Sequence, residues 1–105
     1  MPRPNLLSHA DVLENLAART DWALLASQDT IEKTYVFANF CDAIAFINRG
    51  AEAAEALDHH PEWCNTYNRV VVRLSTHHAH DDAGHATGGL TALDFALADA
   101  FDALC

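Results

Sequence analysis

The run Val70-Val71-Val72-Arg73-Leu74-Ser75-Thr76 carries the strongest structural signal in this sequence. It is the most β-branched part of the chain, and β-branched side chains favour strands because they pack well on a pleated surface. We therefore predict a central β-strand here. Residues 62–67 precede it across the turn-like pair Asn68-Arg69, which predicts a second strand joined to the first by a hairpin.

A second pair of strands is predicted nearer the N-terminus. Trp22-Ala23-Leu24-Leu25 and residues 31–37 flank a polar turn around Ser27-Gln28-Asp29. Apolar and polar side chains alternate in residues 31–37, with Lys33 as an interruption, and such alternation is typical of a half-buried antiparallel strand.

Three helices are predicted, each after a residue that caps helices well. The caps and helices are Ser8 before residues 9–19, Asn39 before a helix of about 18 residues that ends near Leu57, and Thr91 before a helix that continues to Leu104. In the long helix Gly50 is interpreted as a tolerated weak point. We expect Pro61 to end that helix, because a proline disfavours helical geometry in the residue before it.

The last helix carries its apolar residues on one predicted face. They are Leu93, Ala96, Leu97, Ala100, Phe101 and Leu104. Residues 77–89 contain three of the four glycines and no large apolar side chain, which indicates a loop. The resulting order, α-β-β-α-β-β-α, predicts an α+β fold: a two-layer sandwich whose four-stranded antiparallel sheet carries the helices on one face. We expect one domain over residues 1–105.

Composition excludes several classes of function. The chain has 15 acidic and six basic residues, a net charge of −9, and its basic residues are scattered, so a nucleic-acid partner is not expected. No apolar run approaches the ~20 residues that span a bilayer, and no secretory signal is evident, so we expect a cytoplasmic protein without a membrane partner. Three cysteines without C-x-x-C spacing indicate neither a disulfide framework nor a zinc site built on cysteine.

Histidine is the unusual residue of this sequence. Six of the seven histidines lie between positions 59 and 85, and His59-His60-Pro61 follows the predicted long helix. Imidazole can both give and take a proton near neutral pH, so paired histidines suit general acid and general base roles. Glu55 lies one helical turn before His59 and could orient a ring. His77 follows the predicted central strand, at an element end of the kind where sites form.

Each of these residues also has a simpler interpretation. A pair of histidines is more often polar surface than catalytic, Glu55 could be a solvated helix residue, and Trp63 could belong to the core. Taken one by one, these residues do not establish a functional site, but their combined pattern is more specific.

That combined pattern resembles the pterin-4a-carbinolamine dehydratase family. The resembling residues are Glu55-x-x-x-His59-His60-Pro61-x-Trp63-x-x-x-Tyr67-Asn68-x-Val70, Val72-x-Leu74-x-Thr76-His77, and Gly88-Gly89-Leu90-Thr91-x-x-Asp94. Trp22, Tyr35-Val36-Phe37, Phe40, Ala43 and Phe46 also match, so the resemblance extends from about Leu7 to Leu104.

The resemblance implies a dehydratase that converts 4a-hydroxytetrahydropterin to quinonoid dihydropterin and water, in the recycling of a pterin cofactor. It implies catalytic roles for His59, His60 and His77. It also implies substrate-binding or supporting roles for Glu55, Pro61, Trp63 and Asp94. Such enzymes use no metal and no organic cofactor, and form homodimers or homotetramers. An aromatic amino-acid hydroxylase is the expected source of the pterin substrate.

The sequence departs from the family pattern after His77. Residues 78–87 look like an insertion, which leaves His85 as a second candidate for the third histidine. The histidines and aspartates of this insertion could bind a divalent metal, although a solvated polar loop is the favoured interpretation. Leu93 stands where some members of the family carry an arginine, so no arginine role is transferred.

Two other functions are kept as alternatives. The first is a binding, assembly or dimerisation protein on the same scaffold, because the family includes such members. The complete set of Glu55, His59-His60-Pro61 and His77 argues against binding alone. The second is a metal-storage or sensor module built on residues 78–87.

Overall fold

The computed structural model describes residues 5–80 and 86–105. Its elements in chain order are α1 (His9–Ala17), β1 (Ala23–Leu24), β2 (Ile31–Val36), α2 (Phe40–Leu57), β3 (Glu62–Thr66), β4 (Arg69–Leu74), β5 (Thr76–His80), β6 (Ala86–Gly89) and α3 (Ala92–Asp102). No helix in the described ranges is long and apolar enough to cross a membrane.

The main sheet has four antiparallel strands in the order β1-β2-β4-β3. The β-branched run therefore forms a central strand, as predicted, paired on one side with β2 and on the other with β3. Val70, Val72 and Leu74 of β4 are completely buried, while Arg69 and Arg73 are exposed and Val71 is half-buried. This alternation places the hydrophobic core and the helices on one face, which confirms the predicted α+β sandwich.

The predicted helix caps are present. Ser8 Oγ accepts a hydrogen bond from the backbone of Asp11 at 3.1 Å, and Asn39 Oδ1 accepts one from the backbone of Asp42 at 2.8 Å. The first helix ends at Ala17, two residues earlier than expected. Thr91 caps α3 as predicted.

The prediction of a loop over residues 77–89 was wrong for its described part. Thr76–His80 and Ala86–Gly89 pair as the antiparallel strands β5 and β6 of a separate two-stranded sheet, with a register irregularity between Thr76 and Ala79. Backbone hydrogen bonds stabilise such a ribbon without a row of large apolar side chains. The pattern used to recognise a half-buried strand is therefore absent from the sequence here.

The buried face of α3 also differs from the prediction. Leu97 and Phe101 are buried as expected, but Phe95 and Ala98 are buried too, and Ala96 is exposed. The helix is rotated about its axis relative to the prediction, because the capping residue Asp94 is buried and points into the protein.

Gly50 is a position of close packing between α2, β3 and α3, and not only the weak point that the sequence suggested. It is buried, and a Cβ atom there would lie 3.0 Å from Trp63 Cζ3 and 3.1 Å from Phe101 Cε1. The Trp63 and Phe101 rings stack on each other, with centroids 5.7 Å apart. Because each ring supports the other, neither can withdraw freely from an added methyl group.

We predict that Gly50→Ala lowers the free energy of unfolding by about 1–2 kcal/mol, because overpacking outweighs the better helix propensity of alanine. Urea denaturation measures the change. Ala51→Gly, at an exposed position of the same helix, gives the propensity contribution alone. A more stable Gly50→Ala protein would contradict the prediction.

Asp102, the last residue of α3, joins this helix to the sheet. Its carboxylate accepts hydrogen bonds from Trp22 Nε1 at 3.1 Å, Lys33 Nζ at 2.8 Å and the hydroxyl of Tyr35. Burial by itself would raise the pKa of Asp102, but the hydrogen bonds from its three donors outweigh burial and hold the pKa below the usual value. Burial and the neighbouring carboxylate raise the pKa of Tyr35, which keeps its hydroxyl a donor.

We predict that Asp102→Asn destabilises the protein at pH 7 by about 1–3 kcal/mol, because the replacement leaves buried donors without a charged acceptor. The folded pKa is lower than the unfolded one, so this stabilisation is complete above the ordinary value of 3.8 and is lost as the pH falls through the folded pKa. The stabilities of the wild type and the variant should therefore begin to converge only when the pH falls below 3.8. Denaturant titrations across this pH range test the prediction, with Asp21→Asn as the control, because the exposed Asp21 approaches the same lysine at 3.8 Å. A difference that does not depend on pH would count against it.

Candidate active site

The site begins where α2 ends. Asp58 adopts the left-handed conformation, with φ 49° and ψ 43°. The backbone N–H of Asp58 donates to the carbonyl of Glu55 at 3.1 Å, and that of His59 donates to the carbonyl of Ala54 at 3.0 Å. These two bonds form a Schellman motif, which satisfies the last carbonyls of the helix and reverses the chain.

This turn, and not Pro61, ends the helix. The helix stops at Leu57, where the sequence predicted, but the left-handed Asp58 breaks it three residues before Pro61. The two histidines that follow the turn have different surroundings. His59 is 8% exposed and points into the protein, whereas His60 is exposed.

His59 forms a buried pair with Asp94. Its Nε2 lies 2.6 Å from Asp94 Oδ1, and the Asp94 side chain is completely buried. A carboxylate only accepts hydrogen bonds, so Nε2 of His59 carries the proton of this bond. The Nδ1 atom has no hydrogen-bond partner in residues 5–80 and 86–105, where every buried polar side-chain atom has one. His59 also lines an open pocket.

Asp94 is held by two further donors. Its Oδ2 atom accepts hydrogen bonds from the hydroxyl of Thr76 at 2.8 Å and from the backbone N–H of Thr91 at 2.9 Å. The second bond completes the capping box of α3. Asp94 thus serves the helix cap through Oδ2 and His59 through Oδ1.

His60 forms a second pair, with Glu55. Its Nε2 lies 2.6 Å from Glu55 Oε1, and the side chains are 59% and 76% exposed. Glu55 thus contacts His60 and not His59. The site contains one buried and one solvated imidazole–carboxylate pair.

His77 completes a single pocket with these histidines. The pocket has a volume of about 310 Å³ and is lined by Asp58, His59, His60, Ser75, Thr76, His77 and Leu93. Its volume is at the lower end of the usual range for small-molecule sites. The structure therefore brings together the three histidines predicted from sequence, at the junction of α2, β5 and α3.

Four predicted site residues do not line this pocket: Glu55, Pro61, Trp63 and Asp94. Trp63 is half-buried on β3 and packs against Gly50 and Phe101. Pro61 follows His60 and is also absent from the lining. Glu55 and Asp94 instead contact the lining residues His60 and His59.

Sequence reasoning did not assign Asp58, Ser75 or Thr76 to the pocket. In the sequence Thr76 ends the predicted central strand and belongs to the family motif, and a polar residue at such a strand end is a usable signal. Asp58 carried no such signal, because an aspartate before two histidines does not reveal a left-handed turn.

A larger pocket, of about 420 Å³, lies beside the N-terminal segment. Its lining includes Leu6, His9, Asp29, Gly89 and Leu90. Within the described residues it contains a single imidazole and neither of the imidazole–carboxylate pairs. The smaller pocket is therefore the better candidate for acid–base chemistry.

The predicted alternatives within residues 78–87 fall mostly outside the described structure. His85 lies outside the described residues, so its candidacy as the third histidine stays a prediction. In the described part of the chain, no group of three or more histidine, cysteine or acidic side chains is arranged to hold a metal ion.

The fold and the pocket together define a class of protein: a small α+β domain that presents imidazole–carboxylate pairs to a small-molecule pocket. Comparison with known proteins identifies the family. Residues 5–104 match the model of the family described as pterin 4 alpha carbinolamine dehydratase. The chain belongs to this family.

Individual relatives agree with the family match. A protein of Opitutus terrae with the name "Putative pterin-4-alpha-carbinolamine dehydratase" is 46% identical over 99 residues, covering 94% of this chain and 93% of its own. A protein of Rhizobium leguminosarum bv. trifolii with the same name is 45% identical over 96 residues, covering 91% and 87%. The crystal structure of a transcriptional coactivator/pterin dehydratase from Brucella melitensis superposes with a TM-score of 0.82 at 36% identity, covering 95% of this chain and 98% of that one.

The two imidazole–carboxylate pairs should differ in their contribution to stability. We predict that Asp94→Asn lowers the free energy of unfolding by about 2–4 kcal/mol. Asparagine replaces one accepting oxygen by an NH2 group, which would then face a buried hydrogen-bond donor. Glu55→Gln should change the free energy of unfolding by less than about 0.5 kcal/mol, because that pair is solvated. Urea denaturation at neutral pH measures both changes, and equal effects would refute the distinction.

Proposed function

We propose that this protein dehydrates 4a-hydroxytetrahydropterin to quinonoid dihydropterin by histidine acid–base catalysis. The observation that carries the proposal is the pocket of about 310 Å³ in which His59, His60 and His77 meet. Family membership supports dehydratase activity in general, and the pocket supports the histidine mechanism.

The reaction needs two proton transfers. The C4a–O bond breaks, and the departing hydroxyl takes a proton from an imidazolium and leaves as water. The neighbouring ring nitrogen gives its proton to an imidazole, and its electrons form the new C=N bond. Because the two proton transfers require only a general acid and a general base, the proposed reaction uses neither a metal nor an organic cofactor.

His59 and His77 are the proposed proton-transfer residues. His59 donates Nε2–H to Asp94, so its Nδ1 is available to accept a proton from the substrate. His77 lines the same pocket from β5 and is the proposed acid. Asp94 supports His59 by holding its orientation during the reaction, as a carboxylate does for the base of a catalytic triad.

His60 is proposed as a donor to bound substrate or an accessory acid. Its exposed pair with Glu55 can rearrange at little cost, which suits a residue that adjusts to the ligand. Pro61 and Trp63 are proposed as supports, because Pro61 stiffens the turn after His60 and Trp63 packs against Phe101 of α3.

The cellular role proposed is recycling of a pterin cofactor, with an aromatic amino-acid hydroxylase as the substrate source in the cytoplasm. A homodimer or homotetramer also stays a prediction. In the described structure β3 is an edge strand of the main sheet, and an open edge can pair with another subunit.

A binding role is the second candidate function. The Brucella melitensis neighbour is described as a transcriptional coactivator as well as a pterin dehydratase. The same scaffold could therefore bind a protein partner, with or without the enzymatic activity.

Stopped-flow ultraviolet spectroscopy of carbinolamine decay tests the proposal. We expect the wild type to accelerate decay, and His59→Ala and His77→Ala each to lower the rate by about 10²–10⁴-fold, the usual range for a positioned acid or base. His60→Ala should lower the rate of decay by a smaller factor, because His60 is not assigned a required proton transfer.

His9→Ala is the matched control, because His9 is an exposed histidine that lines the larger pocket. It should leave the rate unchanged. Wild-type rates in the His59→Ala and His77→Ala variants would overturn the assigned roles. No acceleration by the wild type would favour the binding role.

A further inference from the structure

Thr76 is a buried polar residue at the start of β5 and has no role in the proton transfers above. Its side chain contacts Thr91 and Asp94 at the N-terminal end of α3, and the residue is 5% exposed. We infer that Thr76 is a positioning residue, whose hydroxyl fixes the Asp94 carboxylate and thereby the tautomer and orientation of His59. Its catalytic consequence rests on the proposed dehydratase function.

The hydrogen bonds around Thr76 have one consistent direction. The Thr76 hydroxyl has a single proton, which it donates to Asp94 Oδ2 at 2.8 Å. Its second contact, with Thr91 Oγ1 at 2.9 Å, is therefore one in which Thr76 accepts. Thr91 Oγ1 in turn accepts from the backbone N–H of Leu93 at 3.3 Å. A chain of donors thus runs from the first turn of α3 to Asp94.

The helix cap alone does not fix the carboxylate plane. The backbone N–H of Thr91 is one donor to Oδ2, and rotation about the terminal bond of an aspartate is soft. The Thr76 hydroxyl is a second donor to the same oxygen, from a different element. With Oδ2 held from two directions, Oδ1 stays 2.6 Å from His59 Nε2.

Thr76 also links two of the proposed catalytic histidines. It is buried, whereas the adjacent His77 is exposed and lines the pocket. Both residues line the pocket, and Thr76 also donates its hydroxyl hydrogen to Asp94. The placement of His59 and that of His77 depend on the same short segment.

The test compares three variants with the wild type. Thr76→Val removes the hydroxyl and keeps the shape, and Thr76→Ser keeps the hydroxyl. Thr34→Val is the control, since Thr34 is an exposed threonine on β2. The first readout is the ¹⁵N shift pair of the His59 ring, which reports the tautomer without substrate. The second is kcat and KM for carbinolamine dehydration.

We expect Nε2–H on His59 in the wild type, Thr76→Ser and Thr34→Val, and a mixture of tautomers in Thr76→Val. The kcat of Thr76→Val should fall by about 10–100-fold, the range for residues that orient a functional side chain, with KM changed by less than about threefold. Thr76→Ser should restore most of the rate.

A folded Thr76→Val protein with the wild-type tautomer and rate would overturn the inference. If Thr76→Val does not fold, Thr76→Cys replaces it, because a thiol of similar size is a weak donor and should give an intermediate tautomer mixture; an unchanged tautomer there would also overturn it. If the tautomer changes in Thr76→Val but the wild type has no dehydratase activity, the positioning role stands and the proposed function fails.

Discussion

The buried carboxylate of Asp94 connects the end of α2, the start of β5 and the start of α3 through its hydrogen bonds. A carboxylate without contact with water costs several kcal/mol unless its oxygens accept hydrogen bonds. Here Asp94 accepts from His59, Thr76 and the backbone of Thr91, which belong to three separate segments of the chain. The end of α2, the start of β5 and the start of α3 must therefore all be in place before the carboxylate is satisfied. Folding of the core and assembly of the pocket are coupled at this residue.

The two imidazole–carboxylate pairs of the site differ in their burial and therefore in how firmly each imidazole is held. The His59–Asp94 pair is buried, so its orientation is set before any ligand arrives, which is the condition for efficient proton transfer. The His60–Glu55 pair has the same distance of 2.6 Å but is solvated, so solvent competes for both partners. Although the two hydrogen bonds have the same length, His59 is held in a fixed orientation and His60 can adjust.

The sequence predicted the parts of this arrangement that depend on local patterns. The β-branched run at residues 70–74, the caps Asn39 and Thr91, and the end of α2 near Leu57 all follow from short-range preferences. The β5–β6 ribbon was missed because it lacks an apolar alternation. The contact between Asp94 and His59 spans 35 positions. No spacing rule reveals that contact, and the family resemblance associated both residues with a pocket without pairing them.

At Asp58 the backbone conformation favours glycine, whereas the pocket has a carboxylate at this position. A left-handed residue at the end of a helix is most often glycine, since a side chain there costs energy. Aspartate is among the few other residues that tolerate the conformation. Here the residue lines the pocket beside His59 and His60, so glycine would relax the turn and remove a carboxylate from the pocket wall. Strain of this kind persists where the surrounding structure holds the residue in place. At this position the Schellman hydrogen bonds do so, and the turn that ends α2 thereby becomes part of the pocket.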